Sequence, residues 1–142
     1  MGARRKAREV ALQILYAREI TGYPVREVLA DQLALDDYDE EVISFVERLV
    51  LEVEEHRDEL DHLIEERATN WDLERIALID KLILRMGLAE LLHFVDVPAK
   101  VCINESIEMT KKYSSAEAKR FVNGILDAVY KQREQVREEH AS

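Results

Sequence analysis

One cysteine, two prolines and four glycines are all that the 142 residues contain of the types that staple, kink or tightly turn a chain. Cys102 has no partner for an intramolecular disulfide, and within Val101-Cys102-Ile103 it reads as a small buried hydrophobe rather than a nucleophile. So few glycines leave little material for hairpins, which argues against a sheet protein, and there is no glycine-rich phosphate loop. His56, His62, His93 and His140 are scattered without metal-ligand spacing, and Cys-x-x-Cys does not occur. No apolar run approaches the ~20 residues of a membrane span. The basic amino terminus leads into an amphipathic helix rather than a secretory core. The expectation is a cytoplasmic protein without metal, cofactor, catalytic centre or membrane segment.

What is present is a globular composition, 47% hydrophobic and 35% charged, at a length that suits one all-α domain. The net charge of -10 makes a general polyanion binder improbable, yet Arg4, Arg5, Lys6 and Arg8 crowd the start of the first amphipathic helix. An acidic protein with one cationic end can aim that end at phosphates while its other surfaces repel them. Between Asp31 and Glu66, 15 acidic residues face only Arg48 and Arg57, so nucleic acid should avoid that segment. Asp36, Asp37, Asp39, Glu40 and Glu41 lack the glycine and closing glutamate of a calcium loop. From Lys100 to Arg137, eight cations against five acids make a second, mildly positive region.

At about 100° per residue, Ala7, Val10, Ala11, Ile14 and Ala17 share the core stripe of the first helix. Arg5, Arg8, Leu12 and Tyr16 fall together on another side, a mixture that either a later helix or a partner must cover. Gly22 and Pro24 precede a short helix with Val28 and Leu29. A third helix carries Val42 to Val53 and breaks near His56 to Asp58, after which Leu60, Leu63 and Ile64 continue the pattern.

Asn70-Trp71-Asp72 signals another start, and Ile76 to Leu92 is apolar on nearly every side, as a central helix is. Asp80 within it must pair inside the fold or meet a partner across a narrow gap. Val97-Pro98 opens a helix in which Val101, Ile103, Ile107 and Met109 include core positions. Ser114-Ser115-Ala116-Glu117 fits a capping box, with Glu117 reaching back, before a last helix that buries Ala118, Val122, Ile125, Leu126 and Val129. Lys119, Arg120 and Phe121 follow the cap, offering phosphate contacts beside a ring that either packs in the core or stacks on an unpaired base. The tail from Lys131 is too polar to be held firmly.

Three stretches carry a resemblance. They are Arg4-Arg5-Lys6-Ala7-Arg8-Glu9 leading to Ala11-Leu12-Gln13-Ile14-Leu15-Tyr16, then Asp80-Lys81-Leu82-Ile83-Leu84-Arg85-Met86-Gly87-Leu88-Ala89-Glu90-Leu91, and Ile103-Asn104-Glu105-Ser106-Ile107-Glu108 followed by Phe121-Val122-Asn123-Gly124-Ile125-Leu126-Asp127. In order, spacing and length the chain resembles the NusB family of bacterial transcription antitermination factors.

That resemblance implies an all-α bundle of about seven helices in two subdomains, about 1–68 and 69–137, with a polar tail at 138–142. It implies no catalysis. The expected ligand is the single-stranded boxA element of ribosomal RNA leaders, bound as a heterodimer with NusE, a small-subunit ribosomal protein, within an antitermination complex around RNA polymerase. The family's RNA-binding positions fall on Arg4, Arg5, Lys6, Arg8, Glu117 and Phe121, to which the flanking Lys119 and Arg120 add charge. The partner-facing positions fall on Tyr16 and Asp80, with Leu12 beside Tyr16. The sequence departs from the family in placing Ser114, not glycine, after Tyr113. Rival readings are a detached module like the NusB-like domain of some rRNA cytosine methyltransferases, an adaptor that binds protein alone, and a homodimer that masks the arginine patch.

Overall fold

The computed structural model describes residues 2–68 and 73–141, and these contain seven α-helices and one short 3-10 turn. The Asn70-Trp71-Asp72 start signal lies outside the described residues. Contacts divide the chain into two compact units, Met1–Arg57 and Asp58–Ser142. The division falls before the expected boundary near 68, because the helix after His56 carries Asp61, which pairs with Arg85 of the second unit.

The first unit holds α1 (Ala3–Thr21), α2 (Val25–Leu33) and α3 (Glu40–Glu55), each touching the other two. Helix α1 stops at Gly22, whose left-handed φ of 73° returns its N–H to the Arg18 carbonyl. Of its expected core stripe, Ala7, Val10, Ala11 and Ile14 are buried and Ala17 is half-buried. They meet an α3 face of Val42, Phe45, Val46, Leu49, Val50 and Val53, all buried. Full burial stabilises by roughly 1.5–3 kcal/mol per large apolar side chain, so this seam dominates the unit.

The second unit holds all of α4 (Arg57–Arg67) but its first residue, the turn Leu73–Arg75, α5 (Leu78–His93), α6 (Ala99–Tyr113) and α7 (Ala116–Ala141), with α5, α6 and α7 in mutual contact. Every residue of α5 from Leu82 to Leu91 is buried, as its apolar circumference requires. The one cation in that stretch, Arg85, gives both Nε and Nη2 to the Asp61 carboxylate at 2.7 and 3.0 Å. The bidentate geometry offsets part of the cost of burying a guanidinium.

Helix α6 presents a different face to the core than its β-branched residues suggest. Cys102, Ser106, Met109 and Thr110 are buried, while Val101 is 40% exposed and Ile103 and Ile107 are half-buried. The cause is Gly87: a Cβ there would lie 2.6 Å from Ser106 Oγ, so α5 and α6 approach where glycine meets a small hydroxyl side chain. Both buried hydroxyls donate to carbonyls one turn back, Ser106 to Cys102 at 2.9 Å and Thr110 to Ser106 at 2.8 Å.

Helix α7 buries Ala118, Val122, Ile125, Leu126 and Val129, the expected set. It then continues through the polar segment to Ala141 instead of ending near Lys131. Arg133 donates to the Leu91 carbonyl, Gln132 accepts from Arg67, and the exposed pairs Lys131–Asp127 and Arg137–Glu134 add side-chain support.

Candidate nucleic-acid and partner interfaces

In the first unit, the arginine segment splits by helical phase. Arg4 and Arg8, one turn apart, place their guanidinium carbons 5.0 and 5.2 Å from the centre of the Phe45 ring on α3. Arg8 is 3% exposed, so its charge lies against aromatic surface rather than in water. Arg5 and Lys6 are exposed and point away from that seam. The first turn of α1 contains no carboxylate, and Gly2 supplies no side-chain cap, so the positive end of the helix dipole adds to these two cations.

The face shared by Arg5, Arg8, Leu12 and Tyr16 is likewise divided. Leu12 is 3% exposed and belongs to the core, so its side chain offers no surface to a partner. Tyr16 is 42% exposed.

In the second unit, a groove of about 470 Å³ opens between the start of α5 and the start of α7. Arg75, Ala77, Asp80, Ser115, Glu117 and Phe121 line it. Asp80 is 8% exposed, and its Oδ1 is buried with no hydrogen-bond partner among the described residues. It stands in the first turn of α5, where an acidic residue complements the positive end of the helix dipole. A desolvated acceptor at the edge of an open groove suits a donor brought by another molecule.

The cap of α7 differs from the expected box. Ser115 Oγ accepts from the Ala118 N–H at 3.1 Å, which makes Ser115 the N-cap and puts Ala118 at the third helical position. Glu117 stands at the second position, where a carboxylate favours the helix dipole but does not close the reciprocal bond. It is exposed on the groove.

Lys119 and Arg120 do not share that groove with Phe121. They line a smaller depression with Ala116 and Asn123, because residues adjacent in sequence lie about 100° apart around a helix. Phe121, half-buried, packs partly against the fold and presents the rest of its ring beside Asp80 and Glu117. Arg75 was not signalled by the sequence; it reaches the groove from the turn before α5, where no periodicity marks it.

Comparison with known proteins follows the same elements. The model of the NusB family matches residues 5–131. The transcription antitermination protein NusB of Myxococcus xanthus (strain DK1622) is 42% identical over 133 residues, covering 91% of this chain and 95% of the relative. That of Dehalococcoides mccartyi (strain CBDB1) is 40% identical over 129 residues, covering 91% and 90%. Among solved structures, T. maritima NusB superposes with a TM-score of 0.84 at 32% identity over 90% of each chain. A crystal structure of the antitermination factors NusB and NusE in complex with dsRNA gives a TM-score of 0.84 at 26% identity, covering 93% of this chain and 98% of that one.

Proposed function

The chain belongs to the NusB family, and from that premise we propose that it is a non-catalytic transcription antitermination factor, binding boxA RNA of ribosomal RNA leaders as a heterodimer with NusE. The heterodimer acts in the cytoplasm, within the complex that keeps RNA polymerase from terminating. Support comes first from a contrast of charge. A chain of net charge -10 exposes Arg5 and Lys6 at a helix start that has neither carboxylate nor side-chain cap. Such an end attracts a phosphate backbone, while the acidic α2–α3 segment discourages binding elsewhere on that unit.

On the second unit, Lys119 and Arg120 supply further phosphate contacts, and the half-buried Phe121 offers its ring for stacking on an unpaired base. Arg4 and Arg8 contribute by holding the helix start against Phe45. Tyr16 and the unpartnered Asp80 oxygen are the contacts for NusE, one apolar with a polar tip and one purely accepting. Glu117 tempers the attraction for RNA at the groove, since its carboxylate faces the same opening as Phe121.

A titration of boxA RNA with and without NusE, repeated over a salt series, tests this reading. Affinity should fall as salt rises, and replacing Arg5 and Lys6 by alanine should flatten the logarithmic slope by roughly 1.4 if each neutralises one phosphate of a single strand. Binding that ignores both salt and these substitutions would remove the site.

A further inference from the structure

Arg133 is drawn partly out of water without a counter-charge. Arg18, Arg57, Arg67 and Arg85, likewise half-buried or buried, each have a carboxylate oxygen within 3.5 Å. Half-buried Arg133 forms no ion pair among the described residues. Its Nη1 donates to the Leu91 carbonyl, and its Nε, shielded from water, has no hydrogen-bond partner among them. A guanidinium donor removed from water and left without an acceptor is costly.

The side chain borders a groove of about 560 Å³ formed by the end of α5, the connection 94–98 and α7. One wall is apolar. It includes Leu92, Pro98 and Val95, which at 99% is the most exposed large hydrophobic among the described residues. From α7, Tyr130, Arg133, Glu134 and Arg137 line the groove together, as positions three and four residues apart on a helix do. Glu134 is the one acid among these lining residues, and its Oε1 lies 3.3 Å from Arg137 Nη1. A surplus positive charge therefore remains at Arg133.

We propose that this groove binds a peptide segment that sets one carboxylate beside aliphatic side chains. The charge of the occupant follows from Arg133. With Nη1 held by Leu91, the Nε–Nη2 edge of the guanidinium remains, and that is the edge which Arg85 gives to the Asp61 carboxylate at 2.7 and 3.0 Å. A planar carboxylate matches such a fork with two parallel hydrogen bonds. A run of phosphates does not suit the groove, because Glu134 repels it and the apolar wall offers it no partner. The volume falls within the range of pockets that take drug-sized ligands, which a few residues of peptide fill and a free short-chain acid does not. Aliphatic flanks would cover Val95 and Pro98. From Asp80 to Leu91 is roughly 16 Å along α5, so a peptide held here leaves the groove of Asp80 and Phe121 open.

The test follows backbone amide shifts of the isotopically labelled full chain by NMR. The probes are acetyl-Leu-Leu with a free carboxylate, acetyl-Leu-Asp-Leu-amide, acetyl-Leu-Leu-amide, isovalerate and inorganic phosphate. At least one of the two carboxylate peptides should give saturable shifts centred on residues 94–99 and 130–137, with a Kd in the millimolar range that so few atoms allow. Which of them responds distinguishes a chain terminus from an acidic side chain. Val95→Asp sets a like charge at the groove without touching the core, and should weaken this binding at least about fivefold, as should Arg133→Lys, which keeps the charge and loses the fork. Thermal unfolding checks that Arg133→Lys stays folded, and Val95→Asp decides if it does not. Equal shifts from the amide peptide would reduce the groove to an apolar contact and overturn the inference. Isovalerate binding as well as the peptides would assign the site to free acids, and phosphate binding as well would make it a general anion site; either overturns it. So does the absence of a saturable response to both carboxylate peptides at their solubility limits.

Discussion

The guanidinium of Arg8 lies 5.2 Å from the centre of the Phe45 ring and is almost wholly buried, although its sequence neighbours Arg5 and Lys6 are exposed. One cationic run therefore serves two purposes, set by helical phase. Arg8→Ala should lower stability by about 1–2 kcal/mol through lost packing as well as lost cation–π attraction. The double change Arg5→Ala with Lys6→Ala should leave Tm within about 2 °C of the parent, as surface changes do, and reduce RNA affinity. Thermal unfolding and RNA titration on the same samples check both halves. A stable Arg8→Ala protein with weakened RNA binding would return Arg8 to the RNA surface.

Asp80 gives the opposite signature. Among the described residues its Oδ1 has no hydrogen-bond partner, so Asp80→Asn should change folding stability by no more than about 1 kcal/mol while weakening NusE association. Denaturant unfolding with calorimetry of the complex decides. A loss of several kcal/mol in stability with intact association would mean that the carboxylate works inside the fold.

Two helical glycines should respond oppositely to alanine. At Gly87 the added methyl would meet Ser106 Oγ at 2.6 Å and Leu126 at 3.1 Å, so Gly87→Ala should destabilise by about 1–3 kcal/mol. Gly124 has open space around it within α7, and Gly124→Ala should stabilise by about 0.5–1 kcal/mol. Urea midpoints of the two variants measure both changes. Equal and small effects would contradict close contact between α5 and α6.

Single-stranded boxA RNA should compete more strongly than a duplex of the same sequence, because Phe121 can stack only on a base free of its neighbours. Phe121→Ala should erase most of that difference and leave duplex binding nearly unchanged, a comparison filter binding can make. The similar NusB and NusE structure with dsRNA makes the duplex the informative competitor. A duplex that binds as well as the single strand would assign Phe121 to packing alone.

Much of the architecture was legible from local pattern. The break at His56, the Pro98 start of α6 and the five buried residues of α7 all follow from turn chemistry and 3.6-residue spacing, which neighbouring residues determine. Local pattern stops short where a distant element intervenes. Of the apolar set Val101, Ile103, Ile107 and Met109 on α6 only Met109 is buried, because Gly87 on α5 admits Ser106 at the contact and Val101 faces water. Glu117 looked like half of a capping box, yet the helix begins one residue later than that box requires.

The candidate sites divide along the same line. Sign and spacing of charge were enough to locate a cationic helix start on an acidic chain and to bring Tyr16 to notice, since both are properties of one helix. Packing alone could separate Leu12 from Tyr16 and Arg8 from Arg5, and could leave one oxygen of Asp80 desolvated without a donor among the described residues. Burial depends on which remote side chain arrives, and periodicity along a single helix carries no record of that arrival.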